Sequence, residues 1–339
     1  LGGVIIVGIL WLMALVVHST SQRLYQDKVN IERISGKFGT LRRTLLRLVK
    51  QIPLIGKRRQ PFKALDGVSF DIGTGMFGLL GPNGAGKSTM MRIICGILDQ
   101  SYGKVWINGI DTLEKREELQ GQIGYLPQEF GSYEHLTAWE YLDYQALLKG
   151  IADHNTRKER IDKVLNSVHM IDRKDEKIGS YSGGMKQRIG IAQILLHLPK
   201  ILVVDEPTAG LDPRERIRFR NMLVELSRDR IVLFSTHIIE DISSSCNKVA
   251  VIDKGRVKYV GVPQDMTDLA ENYVWKFKIP ASEFESLDQK EMIVHHMRDG
   301  DDISVRYISG KKPHPSAVNV RPLLEDAYLC LLKDIGRKY

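Results

Sequence analysis

Gly81-Pro82-Asn83-Gly84-Ala85-Gly86-Lys87-Ser88-Thr89 (GPNGAGKST) sets a glycine, four residues and then Gly-Lys-Ser in a row, the spacing that builds a phosphate-binding loop. Glycines at 81, 84 and 86 let the backbone turn where a Cβ would clash, so successive N–H groups point inward at the β- and γ-phosphates of a nucleoside triphosphate. Lys87 adds a point charge to that nest, and Ser88 offers a hydroxyl to Mg²⁺. Phe77 to Leu80 supplies the preceding strand. The helix that opens at the loop, with Met90, Ile94, Ile97 and Leu98 on one face, aims its positive end at the phosphates.

Outward from the loop, residues 62–270 read as the core. Short β-rich runs (Ala64–Ile72, Phe77–Leu80, Lys104–Asn108, Gln122–Leu126, Ile201–Val204, Ile231–Phe234, Lys248–Ile252, Arg256–Val260) alternate with helical stretches in the second half. The pattern predicts an α/β fold with a mainly parallel sheet, a small antiparallel part near its start and a helical subdomain at about 129–199. The apolar run Ile201–Val204 ends in Asp205-Glu206, as when a buried parallel strand delivers carboxylates to the sheet edge beside the phosphates. Asp205 is expected to help hold Mg²⁺, and Glu206 to polarise water for attack on the γ-phosphate.

Tyr181 to Arg188 reads YSGGMKQR, close to the LSGGQ-type signature, and here the chain resembles the nucleotide-binding subunit of an ATP-binding cassette (ABC) transporter. Ser182, Gly183 and Gly184 stand where a helix begins, so free N–H groups and a hydroxyl face an anion. The resemblance implies that this second phosphate site completes the ATP pocket of an opposite nucleotide-binding domain, in a homo- or heterodimer. It makes Gln128 of YLPQ the Q-loop glutamine that senses Mg²⁺ and water and touches the membrane domain, fused or separate. It makes His237 the switch histidine at the γ-phosphate and Ala209–Asp212 the loop that crosses the dimer interface. Phe62 is nearest in sequence for the adenine-stacking aromatic. Tyr181 stands in place of the usual leucine and Ala209 in place of a frequent serine.

The flanks read differently. Residues 1–17 carry no charged side chain, so residues 1–25 are expected to hold a membrane helix, which continuation before Leu1 would lengthen. Gly2, Gly3 and Gly8 and the lack of a polar face favour that over a buried core helix. Arg23 to Arg59 holds eleven Lys or Arg against Asp27 and Glu32, an excess of nine in a chain of net charge +8. Charge so concentrated argues against nucleic acid and for a cytoplasmic segment beside anionic lipid. Within the linker 26–61, Leu41, Leu45, Leu48, Val49 and Ile52 share one face of a basic amphipathic helix, suited to a membrane interface or to packing on a neighbouring domain. Cys95, Cys246 and Cys330 form no metal-like spacing and suit a reducing compartment.

Residues 271–339 read as a small C-terminal α+β domain: Tyr273–Ile279, Met292–Met297 and Ile303–Ile308 as strands, an Asp299-Gly300 turn, and a helix over Leu323–Leu332. Its PLLEDAY run (322–328) resembles the end of export-type subunits serving drugs, antibiotics, polysaccharides or lipids. The expected function is ATP hydrolysis driving export through closure of an ATP-sandwich dimer. The alternatives are a ribosome- or chromosome-associated cassette ATPase, and a nucleotide sensor. No second cassette or long coiled coil accompanies the motif, and Lys87, Glu206 and His237 together favour turnover over sensing.

Overall fold

The computed structural model describes residues 63–131, 133–287 and 289–335. Phe62, the expected membrane helix and the basic linker lie outside the described residues. No helix among the described residues is long and apolar enough to cross a membrane.

Strand β1 (Gly75–Leu80) is followed by helix α1 (Lys87–Ile94), the two-stranded ladder β2 (Trp106–Ile107) and β3 (Ile110–Asp111), α2 (Arg116–Gln120) and β4 (Ile123–Leu126). Helices α3 (Ala138–Leu148), α4 (His154–Ser167) and α5 (Gly183–Leu195) come next. Then follow β5 (Ile201–Val204), α6 (Pro213–Leu226), β6 (Ile231–Thr236), α7 (Ile239–Ser243), β7 (Lys248–Asp253), β8 (Arg256–Gly261) and α8 (Pro263–Asp268). The main sheet has the order β4-β5-β6-β1-β7-β8, parallel except for the β7–β8 pair. Parallel pairing brings the C-terminal ends of β4, β5, β6 and β1 to one edge, where ligands meet open α/β sheets.

Central β1 shows why these residues make a buried strand. Met76 and Leu80 enter the apolar cluster on one face, with Leu126, Val204 and Phe234; Phe77 and Leu79 enter the cluster on the other, with Met91, Val203 and Leu233. Period-two alternation with apolar residues on both faces is what a sheet covered on both sides requires. Gly78 is the close approach: a Cβ there would lie 2.3 Å from Ile242 Cδ1 on α7.

Three expectations change. Ala64–Ile72 forms no strand. Asp66 spends its N–H on Gly255 O and its carboxylate on Lys63 and Arg256, Gly67 bends the chain at φ +66°, and Phe70 stacks on Phe77 at 5.4 Å. Leu65, Val68, Phe70 and Ile72 pack half-buried against the core, but the stretch takes up no ladder, so among the described residues the antiparallel pairing of the cassette lies in β8 and in the separate β2–β3 ladder. Lys104–Asn108 keeps only the two residues of β2, because Asn108 and Gly109 turn at positive φ. Helix α1 stops at Ile94, before Gly96 at φ +65°, so Ile97 and Leu98 fall outside it and are exposed.

The second sheet runs β10-β11-β9-β12, from β9 (Val274–Pro280), β10 (Ile293–Asp299), β11 (Asp302–Ile308) and β12 (Val318–Asn319). The short helix α9 (Ala281–Phe284) follows β9, and α10 (Leu324–Leu332) ends the described elements. Asp299 faces Asp302 across the turn at Gly300. Val274, Ile308, Ala327, Cys330 and Leu331 join the same apolar cluster as Ile242, Val249, Met266 and Ala270, which continues the core into this sheet.

Candidate functional site

The phosphate loop leaves β1 at Gly81, whose N–H donates to Thr236 O, and closes on itself through Ala85 N–H to Pro82 O at 3.1 Å. Gly86 stands at φ +106°, and a Cβ there would lie 2.6 Å from Ala64 O. Both observations require glycine. Asn83 and Gly84 at the tip are exposed, Ser88 and Thr89 half-buried. No acidic residue stands in the first turn of α1 to offset its positive end.

Lys87 is buried. Its Nζ donates to Gly81 O at 2.8 Å and Pro82 O at 3.2 Å, and reaches Glu206 Oε1 at 3.1 Å. Glu206 follows the fully buried β5 and takes φ +45°, unusual for a residue with a side chain. Its other oxygen, Oε2, lies 3.3 Å from Nδ1 of His237, which extends from the end of β6 and is half-exposed. Three residues named from the sequence therefore meet around one carboxylate.

One residue of this centre escaped sequence reasoning. The buried Ser235 hydroxyl donates to Asp205 Oδ1 at 2.6 Å while accepting the Glu206 N–H at 2.9 Å, so a single side chain fixes both acids. Asp205 N–H in turn donates to Leu126 O at 2.9 Å. A serine near the end of a strand carries no signal of that role. Gln128 sits just beyond β4, on the edge that also bears Gly81, Glu206 and His237, and is exposed.

Ser182, Gly183 and Gly184 are elsewhere. Ser182 caps α5, its hydroxyl accepting Met185 N–H at 3.3 Å, and Ser182 and Gly183 are exposed. Among the described residues no hydrogen bond or ion pair joins them to the Lys87–Glu206–His237 group. They are tied to α6 instead. Arg188 on α5 meets Glu215 at 3.0 Å, and a Cβ on Gly184 would lie 2.7 Å from that same carboxylate. Asp212, which caps α6 through the Arg214 and Glu215 N–H groups, follows the Ala209–Leu211 turn.

Comparisons with known proteins bear on the family and the fold. The family model for ABC transporters matches residues 65–209. The ABC transporter ATP-binding protein NatA of Bacillus subtilis is 36% identical, over 66% of this chain and 93% of its own. The linearmycin resistance ATP-binding protein LnrL of the same organism is also 36% identical, over 59% of this chain and 65% of its own. A solved dimer of the ATP-binding cassette MJ0796, in a post-hydrolysis state bound to ADP and Pi, superposes with a TM-score of 0.54 at 26% identity, covering 61% of this chain and 94% of that one. The phosphate loop, the β5 acids and the shared fold together assign the chain: it belongs to the ABC transporter family, as an ATP-binding subunit that hydrolyses ATP.

Proposed function

We propose that the chain powers an exporter, on the cytoplasmic side of a membrane, by closing and reopening an ATP-sandwich dimer. The observation that carries the chemistry is the meeting of Lys87, Glu206 and His237 around one carboxylate. In this reading residues 81–89 cradle the phosphates and Lys87 neutralises them. Glu206 accepts a proton from the attacking water, and His237 orients the same carboxylate and the γ-phosphate. The half-buried Ser88 hydroxyl and the Asp205 carboxylate are hard oxygen donors, a set that suits a Mg²⁺ held mainly by phosphate and water, with Gln128 at its edge. When bound, that ion would neutralise charge building on the phosphates.

Ser182 and Gly183, exposed at the start of α5, and the buried Gly184 that follows them would form the site for the nucleotide of a second nucleotide-binding domain. A homodimer and a heterodimer both fit that role. The dimer form of MJ0796 and the resistance role in the name of LnrL support a dimeric, exporting assembly with drug-, antibiotic-, lipid- or polysaccharide-like cargo. A membrane domain, fused or separate, would carry that cargo.

The experiment is substitution at the acid and at the lysine. Glu206→Gln keeps size and hydrogen bonding but removes basicity, so turnover should fall by at least about 10²-fold while ATP still binds. Lys87→Ala should weaken nucleotide binding itself. ATP binding and phosphate release measured on the same preparations check both; near-normal phosphate release by Glu206→Gln would overturn the role given to that residue.

A further inference from the structure

We propose that Asp241 is a positioning residue for hydrolysis, a buried carboxylate that holds the Glu206 loop and His237 in register. The inference rests on the roles of Glu206 and His237 given above and extends them to a residue that touches neither.

Asp241 lies in the first turn of α7 and is fully buried. Its Oδ2 accepts the Thr208 hydroxyl at 2.8 Å and the Thr236 hydroxyl at 3.3 Å, while Oδ1 accepts a guanidinium N–H of Arg220 on α6 at 3.3 Å. Three donors from three separate elements converge on one side chain. Their positions in the chain give the arrangement its meaning. Thr208 stands two residues beyond Glu206, in the turn where Ala209 N–H donates back to Glu206 O. Thr236 immediately precedes His237, and its hydroxyl also accepts Ile238 N–H at 3.0 Å, so the backbone is pinned on both sides of the histidine. Arg220 belongs to the helix that begins at the Ala209–Asp212 turn, opposite the segment that carries Ser182.

The set suits a carboxylate. Both oxygens accept, one from two hydroxyls and one from a cation; a carboxamide would turn its NH₂ either toward the Arg220 guanidinium or toward the two threonine hydroxyls, which would then have to reverse their roles although Thr236 already accepts Ile238 N–H. A buried polar network with one mismatched member loses its geometry as a unit. The element that would shift is the pair of stems carrying Glu206 and His237, whose contact is 3.3 Å. The phosphate loop hangs on β1 and α1, and its tie to this network is the backbone bond from Gly81 N–H to Thr236 O at 3.4 Å, which side-chain substitution at 241 or 208 leaves in place, so nucleotide affinity should be largely spared.

The test uses Asp241→Asn, Thr208→Val and Thr208→Ser in the full chain, with equilibrium ATP binding, KM, kcat for phosphate release and thermal melting measured together. Asp241→Asn and Thr208→Val should lose roughly tenfold to 10²-fold in kcat, since misplacement of about 1 Å costs that much, with ATP affinity and KM nearly unchanged. Thr208→Ser, which keeps the hydroxyl, should restore most of the rate. An unchanged kcat in Thr208→Val overturns the proposal. So does a parallel fall in kcat and affinity, or a serine variant as slow as the valine one. Should Asp241→Asn not fold, the two Thr208 variants decide alone. Glu206→Gln run alongside separates the two readings. If it hydrolyses ATP normally, the roles proposed for Glu206 and His237 fail; if it is inactive while Thr208→Val is normal, only the Asp241 inference falls.

Discussion

Gly86 is constrained twice over. Left-handed backbone and the carbonyl of Ala64 both bar a side chain, so Gly86→Ala should destabilise by on the order of 1–3 kcal/mol and weaken ATP binding, measured by thermal melting with and without nucleotide. The cysteines give a prediction with pH. Burial pushes the thiols of Cys95, Cys246 and Cys330 up to about 12 from an ordinary value of 9.0. The folded state keeps them protonated where the unfolded state would ionise, so their contribution is complete below about pH 9 and is lost as pH rises toward 12. Chemical denaturation between pH 8 and 11 should show stability falling on the alkaline side, and thiol reagents should react slowly at pH 8 until the chain is unfolded. At this scale the sequence named Lys87 from the phosphate-loop spacing, Glu206 from the acids at a strand end and His237 from the family resemblance, and the fold brings the three side chains together. Ser235 and Asp241 were not legible, because Asp205 lies 30 residues from the one and Thr208 33 residues from the other, and only the fold brings them close.

Among elements, strands with a neighbour on each side announced themselves, since β5 and β6 need apolar residues on both faces and have them. Ala64–Ile72 ends in an apolar–polar alternation, Val68 to Ile72, without a ladder partner, and alternation does not encode a partner. The end of α10 illustrates another limit. Asp326, fully buried, receives both arms of Arg306 on β11 at 2.8 and 2.6 Å and the Leu323 N–H at 2.6 Å, so one acid both starts the helix and fastens it to the sheet. Asp326→Ala should cost about 3–5 kcal/mol because it strands a half-buried guanidinium, whereas replacing both partners by apolar residues should cost far less. Denaturant titration of the single and double variants checks the difference. The PLLEDAY run contains that aspartate, yet nothing local reveals that its partner is an arginine on a strand.

For the whole molecule, the second sheet shares one apolar core with the cassette, and α10 packs on α7 and α8. Removing residues 271–339 should therefore lower the melting temperature while leaving ATP binding measurable below it, because the phosphate loop, Glu206 and His237 all precede the cut. Loss of ATP binding by a folded truncation would show that the tail shapes the site directly. The first 60 residues are tested separately: alkaline carbonate should fail to extract the full chain from membranes, and deleting residues 1–60 should release it when no partner is present.

The contact between Lys87 and Glu206 bears on the catalytic cycle as a rivalry. The lysine has one cationic head, and within the chain the acid already claims it at 3.1 Å. An incoming γ-phosphate is then a competitor for an occupied seat, and part of its binding energy goes to displacing the carboxylate. In the role proposed for Glu206, displacement would free it for the water only once a triphosphate has taken its place, so the substrate would release the base. A neutral glutamine at 206 would contest the lysine less, and the slow variant should hold ATP more tightly than the active protein does.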